Sequence, residues 1–313
     1  MNLIITENDD SITDSVIAWT IANGITVKRI NNYSDIKFSV NISNEKKSLS
    51  FFANQEISKV WHRRARLNLL NLEKVPNKEI LSYIKKENDA LYKSIEIYLK
   101  ESSEYVGSWL KETENYKITQ LLYAKEIGID VPDTLVTNNK SELLSFFRKC
   151  NQIIVKDIRY PVYINIDSDV LLSKGVKRVM LEDIQTLEDL FSPMLFQKEI
   201  LKKFEVRVFF FQEKYYAMAI FSQDDEKTKL DYRNYNRENP NRNVPVILPQ
   251  ILIEKLKLLM KKYDLNTGSI DLIFSHENQF VFLEVNPQGQ FEWLSKNCNY
   301  YIEKDIANFF KNE

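Results

Sequence analysis

Short runs of β-branched and aromatic residues alternate with stretches in which apolar residues recur every three to four positions, so strands and helices interleave along most of the chain. Leu3 to Thr6 reads as a strand. Ser11-x-x-Asp14 reads as a capping box opening a helix with the stripe Ile12, Val16, Ile17, Trp19 and Thr20, and Gly24 as its C′ residue. Ile25 to Ile30 is the next strand, and this strand–helix–strand opening predicts a small α/β domain. Strands are expected at Leu49 to Ala53 and Ile57 to His62, then a long helix from about Asn77 to Glu101. A helix over Asn115 to Ile127, with Ile118, Leu121, Leu122 and Ala124 on one side, is stopped by Gly128. A strand at Thr134 to Thr137, a helix at Ser141 to Cys150 and strands at Gln152 to Lys156, Val162 to Ile166 and Lys177 to Leu181 follow. From Met194 the pattern is strongly β: Met194 to Ile200, then Phe204 to Phe211 and Tyr215 to Phe221, joined as a hairpin through Gln212-Glu213-Lys214. Ser222 to Val246 has no period, and a segment that long without one is usually functional or mobile. A helix over Pro249 to Tyr263, strands at Ser269 to Ser275 and Gln279 to Asn286, and a helix from about Tyr301 close the chain.

Composition narrows the chemistry. The 313 residues carry 43 Lys+Arg against 44 Asp+Glu, with 44% apolar and 28% charged residues, a globular balance over roughly two domains of ordinary size. A net charge of −1 excludes a generally basic nucleic-acid binder. The six glycines form neither G-x-G-x-x-G nor G-x-x-x-x-G-K, so the usual dinucleotide fingerprint and the P-loop are absent. His62, His276, Cys150 and Cys298 make no zinc spacing, and there is no G-x-S-x-G elbow. Two free-standing cysteines indicate a reducing compartment, the acidic N-terminus is no signal peptide, and no stretch is long and apolar enough for a membrane span. The expected location is the cytoplasm.

The last hairpin carries the sharpest chemical signal. Along its second strand Val281, Leu283 and Val285 face one way and Phe282, Glu284 and Asn286 the other. With a two-residue loop at Glu277-Asn278, His276 pairs with Gln279, Asp271 lies across from Glu284, and Asn286 follows on the same face. Two carboxylates side by side in an apolar setting repel and lose hydration, so a cation belongs between them; oxygen ligands in small number suit Mg²⁺ brought in with a phosphate. The competing reading is a pair of solvated residues on a sheet face, and a one-residue slip in register would separate them. Lys156, directly after three β-branched residues, reads either as a phosphate-binding point charge or as a strand-end lysine reaching to water. Glu205 and Arg207 share one strand face; the arginine fits a phosphoryl group bidentately or a cross-strand ion pair equally well.

In this order the pieces resemble the ATP-grasp superfamily over nearly the full chain. Asn115-Tyr116-Lys117 with Gln120-Leu121 and Ala124, then Gly128 and Val131 to Asn138, are similar to the family's entry to the nucleotide domain. Ile154-Val155-Lys156 resembles the phosphate-lysine strand, and Phe196-Gln197-Lys198-Glu199-Ile200 the hinge against adenine. Glu205-Val206-Arg207-Val208 and Asp271…Glu284-Val285-Asn286-Pro287-x-Gly289-Gln290 resemble the triphosphate and magnesium motifs. Within the superfamily the chain is most similar to peptide-macrocyclising ligases of the graspetide and microviridin type, through Trp61-x-Arg63-Arg64, Ser222-Gln223, Asp231-x-Arg233 and the tail from Asn286 to Trp293. Asn8 to Thr13 and Cys298 to Glu303 resemble the grasp-with-spasm subgroup, which is paired with a radical SPASM-domain maturase. Tyr232 stands where many relatives carry Trp, and Leu172-Ser173-Lys174-Gly175-Val176 has less glycine than the family's flexible phosphate loop.

The resemblance implies an α/β (α+β) ATP-grasp fold in three parts: a pre-ATP-grasp α/β domain over 1–112, a central subdomain over 113–193 and a C-terminal subdomain with the metal site over 194–313. It implies ATP and Mg²⁺ as cofactors, with Lys117, Lys156, Gln197, Lys198, Glu199, Ile200 and Glu205 at the nucleotide and Asp271, Glu284 and Asn286 at the metal. Arg207, Asp231 and Arg233 are the expected catalytic residues. The implied reaction activates a peptide carboxylate as an acyl phosphate and condenses it with a hydroxyl or amine of the same peptide. The implied partners are a precursor peptide with leader and core, the SPASM maturase and a second copy of the chain, with no nucleic acid and no membrane. Arg63 and Arg64, with Arg66, form a basic cluster that meets an acidic peptide segment or is a solvated loop. Two alternatives stay open: a ligase adding amino acids to a terminus or side chain, and a nucleotide- and peptide-binding module without turnover.

Overall fold

The computed structural model describes residues 1–31, 38–45, 47–51, 56–65, 77–159, 163–166, 169–172 and 175–311. Among them, the chain folds into sheets of four, four and five strands and two separate two-stranded hairpins.

The first part contains β1 (Asn2–Thr6), α1 (Ser11–Ala22), β2 (Val27–Asn31), β3 (Phe38–Ile42), β4 (Lys47–Phe51), β5 (Lys59–His62), α2 (Lys78–Ser102) and β6 (Glu104–Val106). Strands pair in the order β2-β1-β5-β6, all parallel, while β3 and β4 pair with each other. A parallel sheet is covered on both faces, and the alternation along β1 serves two cores. Leu3 and Ile5 pack with Ile95 and Leu99 of α2, whereas Ile4 packs toward α1 and the C-terminal helices. The cap of α1 differs from expectation. Asp10 is the N-cap, and its carboxylate accepts hydrogen bonds from the Thr6 and Thr13 hydroxyls at 2.6 Å each rather than from the helix backbone. Ser11 is already helical, and Asp14 pairs with Arg29.

The chain continues through α3 (Trp109–Thr113), α4 (Lys117–Ile127), β7 (Thr134–Asn139), α5 (Lys140–Cys150), β8 (Ile153–Lys156), the hairpin β9 (Tyr163–Ile166) and β10 (Asp169–Leu172), β11 (Val176–Val179), α6 (Leu181–Gln185) and β12 (Leu190–Lys198). The antiparallel order β11-β8-β12-β7 makes the second sheet, over a core of Leu143, Ile153, Val179, Ile184 and Phe196. Of the strands expected here, Val162 lies outside the described residues, and Leu181 opens α6 instead of closing a strand.

The last part comprises β13 (Lys202–Phe211), β14 (Lys214–Phe221), β15 (Arg242–Pro245), α7 (Gln250–Lys262), β16 (Thr267–Ser275), β17 (Phe280–Asn286), α8 (Glu292–Cys298) and α9 (Ile302–Phe309). Its antiparallel sheet runs β15-β14-β13-β16-β17. From Glu205 onward the period of two along β13 is strict. Val206, Val208 and Phe210 face α4 and α7, while Phe209 and Phe211 face α8, α9 and the N-terminal part. Phe211 pairs with Lys214, so the β13–β14 turn holds only Gln212 and Glu213.

Helix α4, placed by the sequence in a central part over 113–193, buries Leu121 and Ala124 against the C-terminal sheet. Strand β12 crosses the expected boundary at 193/194 and belongs wholly to the second sheet. Within α4 the buried side is Gln120, Leu121 and Ala124; Ile118 and Leu122 are exposed.

Candidate active site

Three strands bring charged residues to one level of the C-terminal sheet. Arg207 on β13 is in register with Asp271 on β16, which is in register with Glu284 on the edge strand β17. Arg207 Nη1 donates to both Asp271 oxygens, at 2.7 and 2.8 Å. Glu284 Oε2 lies 3.3 Å from Lys117 Nζ and Oε1 lies 3.5 Å from Arg233 Nη1. Asn286 Nδ2 is 3.5 Å from Asp271 Oδ2. Burial pushes the Asp271 carboxyl up; Arg207 pulls it back, and the Glu284 charge adds to the rise. Burial acts the same way on Glu284, but Lys117, Arg233 and Lys156 outweigh it and hold that carboxyl below its ordinary value.

The Asp271–Glu284 pairing arises by a different route from the one the sequence suggested. The turn has three residues, 276–278, closed by the Ser275 N–H to the Gln279 carbonyl at 2.9 Å, with Asn278 left-handed at φ +63°. His276 therefore does not pair with Gln279; its N–H donates to the Leu201 carbonyl. The pairs nearest the turn, such as Leu272 with Phe282, are one residue out of the expected register. A β-bulge at Leu283 then absorbs the extra residue and restores Asp271–Glu284 and Ser269–Asn286. The bulge also breaks the expected alternation. Phe282 packs in the helix-side core with Val285, while Leu283 and Glu284 both line the cleft.

That cleft lies between the second and third sheets. Lys156, the last residue of β8, reaches into it, and burial of the ammonium lowers its pKa to about 8 although Glu284 counteracts this. Opposite, Asp231 and Arg233 form one turn. Arg233 Nε lies 2.9 and 3.1 Å from the two Asp231 oxygens, Nη2 lies 2.7 Å from Oδ2, and the Arg233 backbone N–H donates to Oδ1 at 3.0 Å. Burial opposes the Asp231 charge, but Arg233 prevails and holds this carboxyl below its ordinary value.

Residues 197–201 line the cleft wall between the sheets. Gln197 is buried and donates to Thr134 Oγ1 at 3.0 Å; Lys198 is exposed; the Glu199 carboxylate is gripped by Arg178 through two bonds of 2.6 Å. Ile200 lines the cleft. Glu205 is buried beside Lys202, whose Nζ contacts the Glu205 carboxylate and donates to the Leu230 carbonyl at 3.0 Å. Glu205 Oε2 is buried with no hydrogen-bond partner, and burial raises this carboxyl to about 7. A second chamber shares Lys117, Tyr232, Arg233 and Glu284 with the cleft and adds Arg159 and Trp293. The Tyr232 and Trp293 rings lie 6.1 Å apart along its side.

The N-terminal basic cluster is not the open patch expected from sequence. Arg63 is buried, with Nη1 donating to the Gln288 carbonyl at 3.0 Å, Nε 3.8 Å from Asp10 and the guanidinium over the Phe291 ring. Arg64 is half-buried and bonded to Glu7 at 2.8 Å. The reason is local: both follow β5 directly, where the sheet meets α1 and the C-terminal helices. Arg66 lies outside the described residues. Of the glycine-poor segment 172–176, Ser173 and Lys174 also lie outside them, while Gly175 and Val176 line the cleft.

Sequence reasoning missed Lys202 and Arg159 and gave Gln120 no role. Lys202 precedes Glu205 by three residues at the start of a strand, and only the β13 bulge near Phe204 turns both inward. The donor set fits a hard cation: two carboxylates in adjacent register and one amide, all able to offer oxygen. Among the described residues no cluster of three or more His, Cys, Asp or Glu side chains is placed to hold a metal, so an ion here would complete its shell with phosphate and water oxygens.

No protein-family model matches this chain, and no curated protein is similar to it. Solved structures are. A Chryseobacterium gregarium RiPP-associated ATP-grasp ligase, in complex with ADP and a leader and core peptide, superposes with TM-score 0.85 at 28% identity, covering 99% of this chain and 96% of that one. The macrocyclase MdnC of Microcystis aeruginosa, bound with precursor peptide MdnA, gives 0.78 at 27% identity, covering 99% of each chain. The ATP-grasp ligase PsnB, complexed with a precursor variant, Mg and ADP, gives 0.78 at 16% identity over 99% of this chain and 97% of that one, a likeness of fold. Over their full length, then, the solved structures this chain is similar to at 27–28% identity are ATP-grasp peptide ligases of the graspetide type.

Proposed function

We propose that this ligase condenses side chains within a ribosomally made precursor peptide, forming ester or amide crosslinks through an acyl phosphate and releasing ADP and phosphate. The observation that carries the reading is one cluster: Lys156, the Asp231–Arg233 turn and the Asp271–Glu284 pair face a shared cleft that opens into a second, cation-lined chamber. The Chryseobacterium gregarium ligase carries ADP with a leader and core peptide, and MdnC carries a precursor peptide, which supports a nucleotide in the first space and a peptide in the second.

In this reading a peptide carboxylate oxygen attacks the γ-phosphorus of ATP, the bond to the β–γ bridging oxygen breaks, and ADP leaves. A peptide hydroxyl or amine then attacks the acyl carbon, phosphate departs, and the nucleophile loses its proton. Arg233 orients the peptide carboxylate as a planar fork, and Lys156 and Arg207 hold phosphoryl oxygens. Asp231, kept ionised by Arg233, faces the proton lost from a hydroxyl. Asp271, Glu284 and Asn286 would hold Mg²⁺, which when bound offsets charge on the phosphates. Residues 197–200, with Lys117 and Glu205, bound the nucleotide space. No residue of the chain needs to form a covalent intermediate, in keeping with the absence of nucleophile motifs.

We further place the chain in the cytoplasm, as a homodimer, beside a radical SPASM-domain maturase. Support comes from the buried free cysteines and from the likeness of Asn8 to Thr13 and Cys298 to Glu303 to the grasp-with-spasm subgroup. Among the described residues no helix is long and apolar enough to cross a membrane.

The test is mass spectrometry of an acidic, Ser/Thr- and Lys-containing precursor incubated with enzyme, ATP and Mg²⁺. The expected product is lighter by one water for each bond formed, and alkaline treatment opens esters but spares amides. A peptide heavier by an added residue would establish the tail-adding ligase instead. Nucleotide binding with no change in any peptide mass would point to a module without turnover.

A further inference from the structure

Strand β17 is an edge strand, yet the backbone of Val285, between Glu284 and Asn286, is not left unpaired on its outer side. The side-chain amide of Gln120 fills that place. Its Oε1 accepts the Val285 N–H at 2.8 Å and its Nε2 donates to the Val285 carbonyl at 2.8 Å. An amide side chain here does what a neighbouring strand would do, with both bonds at ordinary length. Gln120 is fully buried on α4, and its Nε2 also contacts Asn115 Oδ1. One turn earlier on the same helix, Lys117 meets the Glu284 carboxylate.

We infer that Gln120 is a positioning residue for the ligase: by holding both backbone groups of Val285 it fixes the spacing between Glu284 and Asn286 across the bulged end of β17. The inference rests on the proposed role of those side chains in holding Mg²⁺. The bulge at Leu283 makes the requirement specific. It gives the strand local freedom immediately before Glu284; on the outer side the Asp130 carbonyl accepts the Phe282 N–H at 2.8 Å ahead of the bulge, and beyond the bulge Gln120 takes over at Val285. Aliphatic packing alone would bury α4 against the sheet equally well, because Leu121 and Ala124 already do so. The amide adds a fixed height along the strand.

The experiment compares wild type, Gln120→Glu, Gln120→Met and Glu284→Gln in Mn²⁺ affinity for the ADP complex, read by electron paramagnetic resonance, alongside metal-free ADP affinity and melting temperature. Gln120→Met is expected to weaken Mn²⁺ binding at least tenfold, with ADP affinity in the absence of metal within threefold of wild type. Gln120→Glu supplies a pH signature. Its protonated carboxyl can accept the Val285 N–H and donate to the Val285 carbonyl, whereas the carboxylate can only accept. Its deficit relative to wild type at the same pH should therefore shrink as pH falls, a trend that loss of stability alone does not produce. Should Gln120→Met fail to fold, Gln120→Glu alone decides through that trend. A folded Gln120→Met with wild-type Mn²⁺ affinity, or a Gln120→Glu deficit that is absent or independent of pH, overturns the inference. Glu284→Gln separates the two levels: wild-type Mn²⁺ affinity there sinks the metal reading, whereas a loss there with none at Gln120 sinks only the positioning role.

Discussion

Arg207 and Asp271 stand directly across from each other on β13 and β16 and share two hydrogen bonds of 2.7 and 2.8 Å with only about a tenth of either side chain exposed. Removing one member of such a pair leaves the other charge buried without compensation, at a cost of about 3–5 kcal/mol. Asp271→Asn is therefore expected to lose both Mg-dependent ATP turnover, by a factor of about a hundred or more, and a large part of this stability. Glu284→Gln, whose cationic neighbours Lys117 and Arg233 reach solvent, should lose comparable turnover with a smaller drop in stability. Parallel ATPase assays and urea titrations check this; full turnover in folded Asp271→Asn would remove Asp271 from the metal site.

Arg233→Ala should separate the two halves of the reaction. Its partners are Asp231 and Glu284 and none of its contacts reaches residues 197–201, so ADP affinity is expected within about threefold of wild type. Peptide modification should fall by about two orders of magnitude as the fork that orients the carboxylate disappears. Calorimetry with ADP and mass spectrometry of the peptide check it together; a large loss of nucleotide affinity would move Arg233 to the phosphates.

Lys156 gives a pH prediction with a definite sign. Its folded pKa of about 8 lies below the ordinary 10.5, so between these values the unfolded chain holds a proton that the folded chain lacks. From this residue alone, stability rises with pH across about 8 to 10.5 and is penalised below that window. Anionic phosphates should pull the proton back, so ATP binding near pH 9 is expected to take up close to one proton and to lose it in Lys156→Met. Calorimetry in buffers of different ionisation enthalpy measures the uptake, and an unchanged value in the variant would detach Lys156 from the nucleotide.

Gly107, between β6 and α3, adopts φ +88°, and a Cβ there would sit 2.1 Å from the His62 carbonyl oxygen. Both the left-handed backbone and the close approach exclude a side chain. Gly107→Ala is expected to destabilise the protein by more than about 2 kcal/mol, read as a lowered urea midpoint with an unchanged slope.

Much of the candidate site was legible because its residues sit on strands with a strict period of two: Arg207 on β13, Asp271 on β16 and Lys156 at the end of β8 lie where alternation puts them. The hairpin register was legible only at the level of the site. Turn length and bulge position depend on Asn278 taking a left-handed conformation and on Phe282 finding the helix-side core, and neither is written in the local pattern. Arg63 shows the opposite failure. A run of arginines after a strand looks exposed in sequence, but its partners Asp10, Gln288 and Phe291 are brought to it only by the tertiary fold. The short elements α3, α6, α8 and β15 carry too few residues for a period to show.

The packing that joins Ile4 and Trp61 to Phe291 and Phe310 also decides how the molecule comes apart. Because the first and third of the larger sheets share that core while the second closes over its own smaller one, the three larger sheets among the described residues are expected to unfold as two cooperative units. The sheet bearing Lys156 is expected to open first. Denaturation followed by amide exchange should find β8 and β12 losing protection while β1 and β13 keep theirs, so the side of the cleft that carries the phosphate lysine melts independently of the side that carries the carboxylates.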